Sequence, residues 1–116
     1  MTRDLPSECV LLRIFLGEAD LYESRPLYKA IVLRARELQL AGATVLRGPM
    51  GFGRSRHLHN ANIVLLSLDL PMVIEIVDTP EKIEGFLPEL QKMMPSGLIT
   101  AERAEILRYR GQESLA

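Results

Sequence analysis

The sequence has no tryptophan and a single cysteine, Cys9. One cysteine excludes an internal disulfide framework. Cys9 opens an apolar run, so it reads as a small buried hydrophobe rather than a nucleophile. No apolar stretch approaches the ~20 residues needed to cross a bilayer. The opening residues, MTRDLPSEC, lack the apolar core of a signal peptide. These absences lead us to expect a cytoplasmic protein. Neither sign of charge dominates: 14 basic residues meet 15 acidic ones, for a net charge of −1. Nucleic-acid-binding domains usually carry a basic excess, because neutralising phosphates supplies much of their affinity. No nucleic-acid partner is therefore expected. Repeats and low-complexity segments are also missing.

What is present suits one domain over residues 1–116, at 47% hydrophobic and 25% charged. A chain this short has little room for a deep private active site, so clefts between subunits become the attractive sites. We expect the core to occupy about 8–110, with a flexible loop at about 51–62 and a loose tail at 111–116.

ECVLLRIFL (8–16) reads as a strand, with Val10, Leu12, Ile14 and Leu16 on one face and Cys9, Leu11, Arg13 and Phe15 on the other. Apolar residues on both faces imply that both are covered. Ser24 is placed to cap a helix in which Leu27, Ile31, Ala35 and Leu38 form the buried stripe and Gly42 ends the run. ATVLRGPM reads as a second strand. The stretch from Ile63 to Val77 is strand-rich, with Pro71 interrupting it at an edge or a bulge. Thr79 caps a second helix and Pro80 takes its first position. Ile83, Phe86, Leu87, Leu90 and Met94 repeat with helical spacing, and Pro88 should kink that helix. AEILRYR (104–110) reads as the last strand. The order β-α-β-β-α-β predicts an α+β fold, a ferredoxin-like sandwich with one antiparallel sheet.

Three of the eight glycines (Gly48, Gly51, Gly53) fall between residues 48 and 53, in LRGPMGFGRSRHLHN. No Gly-Lys-Ser/Thr follows, so this is not a Walker loop, and no helix follows, so it is not a dinucleotide fingerprint. A loop remains whose amides can approach an anion closely, with Arg54 and Arg56 beside it. The alternative is a plain hairpin with solvated arginines. His57 and His59, two apart, would share a strand face and could share a metal, though no carboxylate or cysteine adjoins them. GFGR faintly resembles the aromatic strand of RNA-recognition domains, but the rest of that pattern is missing. Arg25, Asn60 and Asn62 provide the residue types of an acylphosphatase-type site without its spacing. Glu75 is a lone carboxylate in an apolar strand. Arg108 and Arg110, on one face of the last strand and about 7 Å apart, could clamp a phosphate.

The layout GFGR, LPMVIEIV, SGLIT and LRYRG resembles that of PII signalling proteins. RPLYKAIVLRARELQLAGATVLRGPMGFG and LSLDLPMVIEIVDTPEKIEGFLPEL resemble more closely an uncharacterised PII-like group, domain-of-unknown-function family 190. The resemblance covers residues of about 10 to 110. It implies a non-enzymatic homotrimer that binds a small anionic ligand, an adenine nucleotide, in clefts between subunits. It also implies control of a partner, such as a membrane transporter or channel, through the loop. The implied ligand residues are Gly51, Phe52, Gly53, Arg54, Gly97, Arg108 and Arg110. The Gly-Asp-Gly-Lys segment of the PII B-loop is replaced here by SGLITAER, which retains Gly97 but no lysine. That loss favours AMP, ADP or a cyclic nucleotide over ATP. No tyrosine lies between Tyr28 and Tyr109, so the modified tyrosine of some PII loops has no counterpart. The alternatives are a CutA-like metal-binding trimer using His57 and His59, and a small acylphosphatase-type enzyme.

Overall fold

The computed structural model describes residues 4–52, 59–60 (backbone only) and 69–109. Four strands and two helices carry the architecture: β1 Glu8–Gly17, α1 Leu27–Glu37, β2 Thr44–Arg47, β3 Pro71–Asp78, α2 Pro80–Met93 and β4 Leu98–Glu105. The strands form one sheet in the order β2-β3-β1-β4, with every adjacent pair antiparallel. This is the ferredoxin-like arrangement predicted from the element order.

Burial alternates along β3 with a period of two. Met72, Ile74, Ile76 and Asp78 are buried, while Pro71, Val73, Glu75 and Val77 are half-buried. The registers place Leu12 beside Ile76 and Ile14 beside Ile74, and these four are fully buried. They pack against Ile31 and Ala35 of α1 and Ile83, Phe86 and Leu90 of α2. Replacing a core side chain of this kind by alanine typically costs about 2–5 kcal/mol. Both helices therefore cover one face of the sheet.

Among the described residues no helix covers the other face. It carries Leu11, Phe15, Val73 and Val77, with Leu46 (49% exposed) and Leu98 (56% exposed) at its margins. Arg13 stands at its centre and bridges Glu75 at 2.9 Å and Glu102 at 2.5 Å, tying β3 and β4 across β1. Its hydrogen bond to Glu75, offset in part by desolvation and helped by Glu102, raises the guanidinium pKa above its ordinary value, so Arg13 stays charged. On its outer side β4 has no strand partner among the described residues, and most of its side chains are exposed.

Thr79 and Pro80 start α2 as predicted, with the Thr79 hydroxyl accepting from the Lys82 amide at 3.2 Å. Several expectations are corrected. Ser24 does not cap α1, whose N-cap position is Pro26 with no side-chain hydrogen bond. Ser24 (φ 65°) and Glu23 (φ 49°) instead form the left-handed turn of a small hairpin pairing Leu21–Tyr22 with Arg25–Pro26. Gly42 does not end α1. Gln39 does so, in the left-handed region at φ 61°. Its amide donates to Arg36 O and that of Leu40 to Ala35 O, the two bonds of a Schellman cap. Pro71 is at neither an edge nor a bulge: it is the first residue of β3, an interior strand, where a missing N–H is tolerated, and residues 63–68 of the expected strand-rich stretch lie outside the described residues. Helix α2 runs through Pro88 without a break in its assignment; the side chains of Pro88 and Glu84 are exposed. The last strand ends at Glu105 rather than beginning at 104, since its apolar pairing with β1 starts at Leu98 opposite Phe15.

Candidate functional site

The alternation that buries Ile74 and Ile76 turns Glu75 and Val77 to the bare face, and the pairing of Val77 with Leu11 puts those two side by side. Beyond them the chain between α1 and β2 passes as Ala41, Gly42 and Ala43. A groove of about 340 Å³ opens there, lined by Leu11, Val77, Glu75, Thr44, this connection and the segment 106–109. Its volume is within the range of about 300–1,000 Å³ usual for small-molecule sites. The floor is aliphatic. Backbone of Ala41–Ala43 forms one wall, and Arg108 with Tyr109 forms another. A Cβ on Gly42 would meet nothing within 4 Å.

The walls are tied to the core. Asp78, fully buried, accepts from the Ala41 amide at 2.8 Å and from the Thr79 amide at 2.7 Å. The Lys82 ammonium donates to Leu38 O at 3.1 Å, satisfying a carbonyl at the end of α1. The Tyr109 hydroxyl donates to Ala41 O at 2.9 Å. Chemically, the groove offers an apolar slot for a flat ring, peptide groups along its edge, one carboxylate held by Arg13, and one guanidinium.

The predicted site residues divide between the two ends of the sheet. Gly51 lies in a two-residue ladder opposite His59, near Pro71 at the start of β3: a Cβ on Gly51 would sit 3.2 Å from Pro71 Cγ. Phe52 beside it is 67% exposed. Gly97 belongs to this same end: its φ is +126°, and a Cβ there would fall 3.1 Å from Phe15 O. Arg108 is at the other end, in the groove, and is exposed. Four residues of strand separate Pro71 from Glu75, about 13 Å, so one copy of the chain does not bring the loop base and Arg108 together. Gly53, Arg54, Arg56, His57, Asn62 and Arg110 lie outside the described residues, as does the tail at 111–116. Strand β4 ends at Glu105, and residues 106–109 are not part of a strand, so Arg108 does not stand on the last strand as expected. Asn60 pairs with Met50 through the backbone, and Arg25 is an exposed hairpin residue. Among the described residues no cluster of three or more His, Cys, Asp and Glu side chains could hold a metal.

Sequence reasoning missed the connection 41–43 and the role of Tyr109. Strand alternation alone could have found Leu11 and Val77, because it puts both on the face of Glu75.

The family model DUF190, described as "Uncharacterized ACR, COG1993", matches residues 9–106. The chain belongs to the DUF190 family. A UPF0166 protein of Aquifex aeolicus is 42% identical over 97 residues, covering 84% of this chain and 91% of that protein. The UPF0166 protein MJ1524 of Methanocaldococcus jannaschii is 35% identical over 103 residues, covering 88% of this chain and 93% of its own. The fold is similar to that of CPII, a nitrogen regulatory PII-like protein from Thiomonas intermedia K12. Its structure bound to ADP, AMP and bicarbonate superposes with a TM-score of 0.60 at 17% identity, covering 87% of this chain and 90% of that one. A second CPII structure, bound to ADP and bicarbonate, gives a TM-score of 0.57 at 19% identity over the same shares. This DUF190 protein thus has an α+β fold similar to that of the PII-like CPII.

Proposed function

We propose that this protein is a non-enzymatic, cytoplasmic regulator that binds an adenine nucleotide in the groove at the end of its sheet. The observation that carries this reading is the groove itself: an aliphatic floor of Leu11 and Val77, edged by peptide groups and flanked by Arg108. The slot suits a purine face, the peptides suit its edge, and the guanidinium suits a phosphate. CPII, the PII-like neighbour of similar fold, was captured with ADP and AMP.

In this reading the protein is a homotrimer. The bare face with Leu11, Phe15, Val73 and Val77 is what subunits cover. The separation of the two ends then has a use: the loop base of one copy, with Gly51, Phe52, Gly53 and Arg54, meets the groove of the next. Gly97 and Arg110 complete the phosphate side. Because SGLITAER supplies no lysine, AMP or ADP is favoured over ATP. Ligand binding shifts the loop population, and the loop addresses a partner, in this proposal a membrane transporter or channel.

Isothermal titration calorimetry with AMP, ADP, ATP, cyclic AMP and cyclic di-AMP, with and without Mg²⁺, tests this. Saturable binding of AMP or ADP at one site per chain is expected. Arg108→Ala should weaken it about tenfold, the typical scale for one charge-assisted hydrogen bond. Silence across the panel would sink the nucleotide reading.

A further inference from the structure

The segment after β4 crosses the end of the sheet as a strap. Its start is held where the Ile106 amide donates to Ser7 O at 2.7 Å, just ahead of β1. Its far end is held where the Tyr109 hydroxyl donates to Ala41 O at 2.9 Å, just ahead of β2. Strands β1 and β2 are separated by β3, a gap of two strand spacings or about 10 Å. Three extended residues span about that distance. Between the two fastenings the strap is not packed: Leu107 is 88% exposed, and Arg108 is exposed.

The two fastenings differ in kind. Ile106 N–H to Ser7 O is a backbone bond that continues the pairing of β4 with β1. Tyr109 relies on one phenolic hydrogen. Its acceptor, however, sits on an anchored residue: the Ala41 amide, one peptide earlier, donates to the buried Asp78 carboxylate. Tyr109 therefore reports to the rigid core, while Arg108, its neighbour in sequence, faces the groove. A guanidinium on an unpacked strap samples many positions. Fastening the residue next to it removes most of that freedom before any ligand arrives.

We propose that Tyr109 is a positioning residue, whose hydroxyl latches the strap to Ala41 and so sets Arg108 over the groove. The latch is local and exists without ligand; its effect on affinity rests on the nucleotide reading above. By linkage, a ligand gripped by Arg108 holds the latch closed to the same degree that the latch strengthens the grip.

The test has two arms. In the ligand-free protein, NMR order parameters of the Leu107 and Arg108 amides should be near those of the sheet and drop below about 0.6 in Tyr109→Phe. Unchanged order parameters would overturn the latch. In the second arm, ADP affinity is measured for the wild type, Tyr109→Phe, Arg108→Ala and the double variant. Tyr109→Phe should weaken ADP about fivefold in the wild type, the usual scale for one hydrogen bond, and have no effect when Arg108 is already alanine. Equal losses in both backgrounds would show that Tyr109 does not act through Arg108. If the wild type binds no ADP, the nucleotide reading falls, and the order-parameter arm still decides the latch.

Discussion

The two ends of the sheet are held by different kinds of interaction. At the groove end the ties run to the interior: Asp78 is fully buried and fixes Ala41 and Thr79, and Lys82 reaches Leu38 O. At the loop-base end the backbone bonds of Glu18 N–H to Leu70 O at 2.8 Å and Gly48 N–H to Pro71 O at 2.7 Å are joined by side-chain ties made by exposed groups. The Ala19 amide donates to Asp69 at 2.7 Å, and Arg47 pairs with Glu18. That end also holds three of the left-handed residues, Glu23, Ser24 and Gly97, and exposes Met50 and Phe52. Interior ties are costly to break, whereas exposed ones exchange with water at little cost. One end is thus built to hold a shape and the other to change one.

The comparison can be broken most sharply at Asp78. Asp78→Ala strips two amides of their buried acceptor and should cost about 3 kcal/mol of stability, read from urea denaturation. Its effect on ADP affinity should exceed that of any substitution near Gly51. Next comes Gly97→Ala. With φ at +126° and the new Cβ 3.1 Å from Phe15 O, it should cost about 1–2 kcal/mol in the same assay, with the Asp78 ties intact. A smaller effect of opposite sign is expected from Glu23→Asn with Ser24→Gly. These residues suit a left-handed two-residue turn, and the pair should stabilise by about 0.5–1 kcal/mol. The smallest effect is expected for Arg47→Ala: an exposed pair is lost, at under about 1 kcal/mol, and 1 M salt should erase the difference in melting temperature. If Arg47→Ala proved as damaging as Asp78→Ala, the contrast between the ends would be wrong.

Much of the fold was legible because periodicity speaks directly of burial. The alternation in β1 and β3, and the spacing of Ile83, Phe86 and Leu90, each identify a buried face that tertiary packing then uses. Boundaries were less legible where local signals competed. Ser24 looked like a cap, yet the hairpin claimed it. Gly42 looked like a stop, yet Gln39 took the left-handed position. Residues 107–109 looked like strand because of their alternation, but the last backbone bond to the β1 side is that of Ile106 to Ser7 O. The site was legible only in its charged members. Arg108 could be singled out by its chemistry. The backbone wall at Ala41–Ala43 could not, since peptide groups carry no sequence signature. Tyr109 was hidden for a different reason: its acceptor lies 68 residues away in the chain.

The outer edge of β4 has a bearing on how the protein survives at high concentration. An edge of eight residues with no strand partner among the described residues is a template on which a further strand could add. Here Glu102, Arg103 and Glu105 stand along it. Stacking identical chains in register would set each carboxylate and guanidinium on its own kind at intervals of about 4.8 Å. That like-charge ladder opposes fibril growth, so the same edge stays available for ordered pairing while resisting runaway assembly.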